Sequence, residues 1–326
     1  MTQKDNKVQI GICFRREHPP ETILPYAQQA EALGFDEIWV VEDCFYASGV
    51  APAAAILAST DHIRVGVGIM PAVARNPVFS AMEIATIGRM YPQRFTAGIG
   101  HGVERWMRQI GAFPPSPLRA LREGVEIIRD LMQGKTVDRK GEQFQLEGGV
   151  LVYPPSAIPP VYLGVRGPKS LNLAGEIADG TLLAEFSSPA YVRWAREQIA
   201  QGNRSGDPHH VAVFVLSYAC SEREEGRALL RPLIAKAVAS GTKDIYFTSI
   251  GAEELLRELQ QIGNAEEIAR RIPNEWIDQM ALIGTPADWQ RTIEQFLAAG
   301  ADTIILMPLP SMGLDQIERF AMNLSD

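Results

Sequence analysis

Residues able to do chemistry fall at a few places along the 326-residue chain. The pair Glu42-Asp43 follows the apolar run Ile-Trp-Val-Val. Such carboxylates accept a hydrogen bond from a ring NH or a hydroxyl, or donate a proton where burial raises their pKa. They serve equally as a helix N-cap or as surface acids. His101-Gly102 follows Gly98-Ile-Gly100, and its imidazole suits proton transfer or ligand contact as well as a purely structural hydrogen bond. Gly68-Ile69 ends another apolar run, where glycine allows close approach of a flat group and an ordinary bulge would also account for it. Gly164-Val-Arg-Gly-Pro-Lys-Ser170 leads into a helical pattern. Its Gly167, Pro168, Lys169 and Ser170 would form a first helical turn with free amides beside two cations, Arg166 and Lys169, suited to a small anion. Trp106 follows His101 closely and either packs on a ligand or simply packs.

These groups need a scaffold, and the hydrophobic period supplies one. Strand-like runs are predicted at Val8–Phe14, Glu37–Val41, Ile63–Met70, Phe95–Gly100, Val161–Val165, Thr181–Phe186, Val211–Ala219 and Thr303–Met307. Helical patterns are predicted at Glu21–Leu33, Ala51–Leu57, Val78–Met90, Leu118–Met132, Pro168–Ala178, Pro189–Gln201, Glu222–Ala239 and Ala287–Ala299. Eight strands alternating with eight helices predict an α/β fold, a (β/α)8 TIM barrel, as one domain over 1–326. In such a barrel the chemistry sits at the carboxyl ends of the strands, where Glu42-Asp43, Gly68-Ile69, His101-Gly102 and Gly164–Ser170 all fall. Two stretches break the rhythm. Thr136–Val152 reads as a hairpin inserted before the fifth strand, and Gly241–Leu282 as a helical insertion after the seventh, with helices at Ala252–Ile262 and Ala265–Arg270.

The bulk numbers narrow the function classes. A net charge of −8 argues against a general nucleic-acid surface. No apolar run approaches the ~20 residues of a membrane span, and the polar N-terminus has no export signal, so a cytoplasmic protein with no membrane partner is expected. Cys13, Cys44 and Cys220 are too few and too scattered for a disulfide framework, and Cys13 and Cys220 are expected in the core. The five histidines, at 18, 62, 101, 209 and 210, lack metal-ligand spacing, so no metal is expected.

Six segments in this order resemble the bacterial-luciferase-like superfamily of flavin- and deazaflavin-dependent oxidoreductases. They are Leu33-Gly-Phe-Asp-Glu-Ile-Trp-Val-Val-Glu-Asp43, Arg64-Val-Gly-Val-Gly-Ile69, Arg75-Asn-Pro77, the Ala81–Arg94 helix with Tyr91-Pro-Gln-Arg94, Gly98-Ile-Gly-His-Gly102 and Tyr162-Leu-Gly-Val-Arg-Gly-Pro-Lys169. The resemblance leans to the branch using coenzyme F420, which includes methylene-tetrahydromethanopterin reductases. It implies a non-prolyl cis peptide at Gly68–Ile69 backing the deazaflavin ring, with Ile69 as an apolar wall. It also implies a phosphodiester near Gly164–Ser170, and a homodimer. Glu42-Asp43 stands where many relatives carry an Asp-His pair. Val103 stands where some sugar-phosphate dehydrogenases of the family carry a glutamate, so that activity is not expected.

Three functions follow from the resemblance. The first is hydride exchange between F420 and a small organic substrate, with Glu42, Asp43 and His101 as acid or base groups. In this reading Gly68, Ile69, Gly102, Gly164, Arg166, Gly167, Pro168, Lys169 and Ser170 bind the cofactor and Trp106 contacts substrate. The second is an FMN-dependent monooxygenase, and the third is a flavin-binding barrel without turnover.

Overall fold

A computed structural model describes residues 8–203, 205–241, 244–310, 312–313 and 315–324. The described residues divide into two compact units, Gly11–Leu182 with Gln198–His210, and residues 8–10 with Leu183–Glu197 and the part from Val211 on.

The larger unit alternates strand and helix. Strands β1 (Gln9–Phe14), β2 (Glu37–Val40), β3 (Arg64–Pro71) and β4 (Phe95–Gly100) come first, followed by β5 (Val137–Lys140), β6 (Gln145–Gly149), β7 (Val161–Gly164) and β8 (Gly180–Leu183). The helices are α1 (Ile23–Ala32), α2 (Val50–Ser59), α3 (Pro77–Met90), α4 (Glu104–Gln109), α5 (Pro117–Met132) and α6 (Pro168–Ile177). Strands β1-β2-β3-β4-β7-β8 pair in that order, all parallel. β2 and β4 are buried at every position, the signature of a parallel strand covered on both faces. β5 and β6 form a separate antiparallel hairpin within Thr136–Val152. The buried Glu123 carboxylate on α5 fastens the hairpin tip by accepting from the amides of Glu142, Gln143 and Phe144 at 3.0–3.1 Å.

The register brings the carboxyl ends level. Phe14 pairs with Val40, Val40 with Val67, Pro71 with Gly100, and Gly100 with Gly164. The residues that follow each end therefore share one rim: 15–17, 41–43, 101–102 and 165–167. Local chemistry sets where the helices start. Asn76 caps α3 by accepting from the Val78 amide at 3.0 Å, with Pro77 in the first turn. Arg94, just before β4, donates to the carbonyls of Thr60 and Ile63 and so fastens the segment between α2 and β3.

The smaller unit holds β9 (His210–Ala219) from Val211, β10 (Ala281–Gly284), β11 (Thr303–Pro308) and helices α8 (Arg223–Ser240), α9 (Asp244–Thr248), α10 (Glu253–Ile262), α11 (Ala265–Arg271), α12 (Asn274–Met280), α13 (Pro286–Ala298) and α14 (Gln316–Leu324). Helix α7 (Pro189–Gly202) begins in this unit. β9 is parallel to both β10 and β11. Trp289, Phe296 and Phe320 are fully buried in this unit. Among the described residues, no helix is long and apolar enough to cross a membrane.

Three sequence expectations are corrected. A short strand, Ala281–Gly284, begins inside the stretch read as helical, because the ten-residue β9 offers it Leu216–Ala219 as a partner edge. The strand expected at Thr181–Phe186 stops at Leu183, and Phe186 takes a left-handed turn conformation at φ 72°. Cys220 lies just past β9 and is half-buried rather than in the core, whereas Cys13 is buried.

Candidate active site

The third strand breaks its register with β4 between Val67 and Met70, and the Gly68–Ile69 peptide within that break is cis. Ile69 is only half-buried. Its side chain rests on three glycines of the neighbouring strands. A β-carbon built on Gly164 would lie 2.3 Å from Ile69 Cγ2, one on Gly100 would lie 3.0 Å from Cδ1, and one on Gly98 would lie 3.3 Å from Cγ2. The Gly-Ile-Gly of β4 and the terminal glycine of β7 thus form the seat of the bulge. On the side of Gly164 where a side chain would stand, Ile69 fills the space.

Gly167 is different. It is the N-cap of α6, Pro168 fills the first helical position, and a β-carbon on Gly167 would meet nothing within 4 Å. No acidic residue stands in the first turn, and Arg166 and Lys169 are exposed beside it. The structure therefore holds an accessible positive helix end at the rim.

His101 ties the β4 end to this turn, its Nε2 lying 3.1 Å from Ser170 Oγ. Its Nδ1 is buried without a hydrogen-bond partner. Burial pushes the imidazole below its ordinary pKa, and the charge of Arg166 adds in the same direction, while the nearby Pro117 carbonyl opposes them. Burial thus favours the neutral ring. Gly102 follows at φ 72°, between Pro71 and Met107.

Glu42 and Asp43 face different partners. Glu42 is held on both oxygens: Arg75 Nη2 donates to Oε2 at 2.8 Å, Arg75 Nη1 donates to Oε1, and the Gly49 amide donates to Oε2 at 2.8 Å. Asp43 pairs with Arg16, whose guanidinium lies 5.1 Å from the centre of the Tyr46 ring and 5.6 Å from that of Trp106 on α4. One cation from the β1 loop thus joins the β2 loop to α4. From sequence, Arg15-Arg16 is only a local positive charge that could receive a small anionic ligand; the pairing of Arg16 with Asp43 and its place over Tyr46 were not foreseen. The signal was present in the position of Arg15-Arg16 at the end of the first strand, but nothing local tells which strand-end charges meet.

Among the described residues, no group of His, Cys, Asp and Glu could hold a metal ion.

A family profile described as luciferase-like monooxygenase matches residues 7–303. The chain is 30% identical over 310 residues to 5,10-methylenetetrahydromethanopterin reductase of Archaeoglobus fulgidus, covering 91% of this chain and 92% of that protein. Among solved structures, the coenzyme F420-dependent tetrahydromethanopterin reductase of Methanopyrus kandleri superposes with a TM-score of 0.82 at 22% identity, covering 97% and 98% of the two chains. An F420-dependent secondary alcohol dehydrogenase, solved with an F420-acetone adduct, gives 0.78 at 21% identity, covering 98% and 100%. The structural likenesses bear out the (β/α)8 barrel read from the alternation of strands and helices. The profile and the relative matched over nearly its whole length together make the chain a member of the luciferase-like monooxygenase family.

Proposed function

We propose that the protein is an F420-dependent oxidoreductase that exchanges hydride between the deazaflavin and a small organic substrate. The observation that carries this reading is the bulge at Gly68-Ile69, seated on Gly98, Gly100 and Gly164 at the strand ends. It presents a backbone and a half-buried apolar side chain at the rim, where a planar heterocycle gains free energy by burying a face. The residues present fit the cofactor in a second way. The open N-terminus of α6 at Gly167, Pro168, Lys169 and Ser170, with Arg166 beside it, suits a phosphodiester. The 2.3 Å approach of a built β-carbon to Ile69 makes Gly164 a support for the wall as well as a candidate cofactor contact. The relative named methylenetetrahydromethanopterin reductase and the two structural neighbours named as F420-dependent enzymes support the same reading.

When bound, the deazaflavin supplies the hydride chemistry. The chain's own residues bind, orient and exclude water. His101 holds Ser170, and with it the first turn of α6, against the end of β4. Asp43, set by Arg16, is the carboxylate we assign to proton handling at the substrate, and Trp106 to its contact surface. Glu42 is assigned to positioning, because both its oxygens are engaged by Arg75 and Gly49.

We further propose a homodimer formed through α3 and the 150–158 segment. Phe79, Met82 and Met90 of α3 and Val152 and Tyr153 of that segment are exposed apolar side chains. Arg89 joins the two stretches by donating to the Pro154 carbonyl at 3.0 Å and lying 5.6 Å from the Tyr153 ring centre. An apolar surface of this kind marks an interaction site. Sedimentation should show a dimer that Tyr153→Asp dissociates, and a monomer at high concentration would refute it.

The deciding experiment for the cofactor is an anaerobic titration of the apo-protein with F420 and, separately, with FMN, followed by fluorescence and absorbance. Micromolar or tighter F420 binding with weak FMN binding is expected. The reverse would overturn the reading and move the protein to FMN-dependent oxygen chemistry. Ile69→Asp should abolish F420 binding in a protein that still folds, because it buries a charge against the ring.

A further inference from the structure

Arg75 stands in the loop after the bulged strand and meets two carboxylates. Its fork is given entirely to Glu42, at the end of β2. The second carboxylate, Glu83 of α3, lies with Oε2 3.4 Å from Arg75 Nε and has no hydrogen-bond partner for that buried oxygen. The more buried acid takes the fork: the Glu42 side chain is 12% exposed against 34% for Glu83. A bidentate arginine–carboxylate pair fixes orientation as well as distance.

The geometry assigns that fixed orientation a purpose. Glu42 Oε2 also accepts from the Gly49 amide, one residue before α2. A β-carbon on Gly49 would fall 3.1 Å from Glu42 Cβ and 2.7 Å from Val67 Cγ1, so the segment folds tightly onto its own start and onto β3. Between Glu42 and Gly49 lie Asp43 and Tyr46, which meet Arg16 at the rim. Phe45 in the same segment takes a left-handed conformation at φ 73°, unfavourable for a bulky side chain, so the segment needs an external tie. Glu42 and Arg75 are that tie, and they link it to the loop that leaves the Gly68-Ile69 bulge.

We propose that Arg75 is a positioning residue of the active site, acting through Glu42 to lock the 42–49 segment, and with it Asp43, in register with the bulge at Ile69. This rests on the F420 reading given above only for what the locked segment faces. Desolvation pushes Glu83 above its ordinary pKa; the charge of Arg75 opposes this and that of Glu42 adds to it, and the net rise lessens its competition for Arg75. Glu83 is thus a bystander that the pair outcompetes.

The test compares Arg75→Met, Arg75→Lys, Glu42→Gln, the Arg75→Met/Glu42→Gln double variant and Glu83→Gln. Two quantities are read on each folded protein: F420 affinity by anaerobic fluorescence titration, and amide hydrogen exchange of residues 42–49. Arg75→Met is expected to weaken F420 binding at least tenfold and to speed exchange of 42–49 at least tenfold, with exchange of β4 and α5 unchanged. Arg75→Lys, a point donor that cannot fork, should recover only part of both effects. Glu42→Gln should reproduce the loss, and the double variant should be no worse than either single one, as for two residues acting through one contact. Glu83→Gln should change neither reading by more than twofold. Wild-type affinity and wild-type exchange in Arg75→Met would overturn the proposal, as would additive losses in the double variant. If the unaltered protein fails to bind F420, the cofactor reading falls while the exchange measurement still decides the tie.

Discussion

The γ-methyl of Ile69 fills the place that a side chain on Gly164 would need, a built β-carbon there falling 2.3 Å from Ile69 Cγ2. The two residues belong to strands that are not paired with each other, and Gly100 of the strand between them also approaches Ile69. The bulge is therefore supported from below by missing side chains. Gly164→Ala should push Ile69 toward the rim and cost about 1–3 kcal/mol of stability, the range for overpacking a tight site. Ile69→Ala in the same chain should restore most of that loss. Urea unfolding of the single and double variants measures the coupling, and an additive pair would show that Gly164 serves something other than Ile69.

The alternation of strands and helices was legible because parallel strands buried on both faces read as apolar runs between amphipathic helices. Phe95–Gly100 was read with its observed ends, since Arg94 precedes it and His101 follows it as polar stops. Ala281–Gly284 was not read, since four residues directly after a helix carry no period of their own and pairing depends on the length of β9. At the site, the sequence placed Glu42, Asp43 and His101 at strand ends. It could not tell that Arg75 would claim Glu42 and Arg16 would claim Asp43, because those partners lie 33 and 27 residues away. Such pairing is set by register, which local spacing does not encode. That Gly164 seats Ile69 was also hidden, because a glycine beside a ligand and a glycine beside a side chain look alike in one dimension.

His101 should make stability depend on pH. Its folded pKa is depressed below 6.5, chiefly by burial, so between the folded and unfolded values the unfolded chain binds more protons. Stability is then fully present above pH 6.5 and falls as pH drops toward the folded value. His18, also depressed by burial and by Arg15, contributes with the same sign. Unfolding free energies measured from pH 7.5 to 5 should decline. The decline should be shallower in His101→Gln, with the His18 share remaining. An unchanged slope would mean that the buried ring does not titrate in this range.

Glu123 is a single buried carboxylate that holds three successive amides of the hairpin tip at 3.0–3.1 Å. A β-carbon on Gly141 would fall 2.3 Å from its Oε2, so the turn is built close around it. Glu123→Ala should leave those donors unpaired and cost about 1.5–3 kcal/mol, with faster hydrogen exchange confined to residues 141–145. Glu123→Gln keeps one acceptor oxygen and should lose less. Equal losses in the two variants would mean that packing, rather than the amides, sets the anchor's worth.

Arg16 offers a spectroscopic handle on the rim. Its guanidinium lies 5.6 Å from the Trp106 ring centre and 5.1 Å from that of Tyr46, while it pairs with Asp43. Of the chain's five tryptophans, Trp39, Trp276 and Trp289 are buried. Trp106 and Trp194 are half-buried, so they should dominate quenching by acrylamide. Arg16→Met removes the partner of Asp43 and the cation over Tyr46, and leaves Arg105, 5.9 Å from the Trp106 ring centre, as that ring's one remaining guanidinium among the described residues. A partly exposed ion pair and exposed cation–π contacts are each worth only about 1 kcal/mol or less, so the melting temperature should move little. Quenching should rise, and the rise should vanish when Trp106→Phe is added. Arg16→Lys keeps the charge for Asp43 but loses the planar face, so its quenching should resemble that of Arg16→Met. Quenching that stays at the wild-type level in Arg16→Met would show that Trp106 is held by its own helix, Arg105 included, and not by Arg16. In that case the rim would owe its shape to α4 rather than to the charge at the end of the first strand.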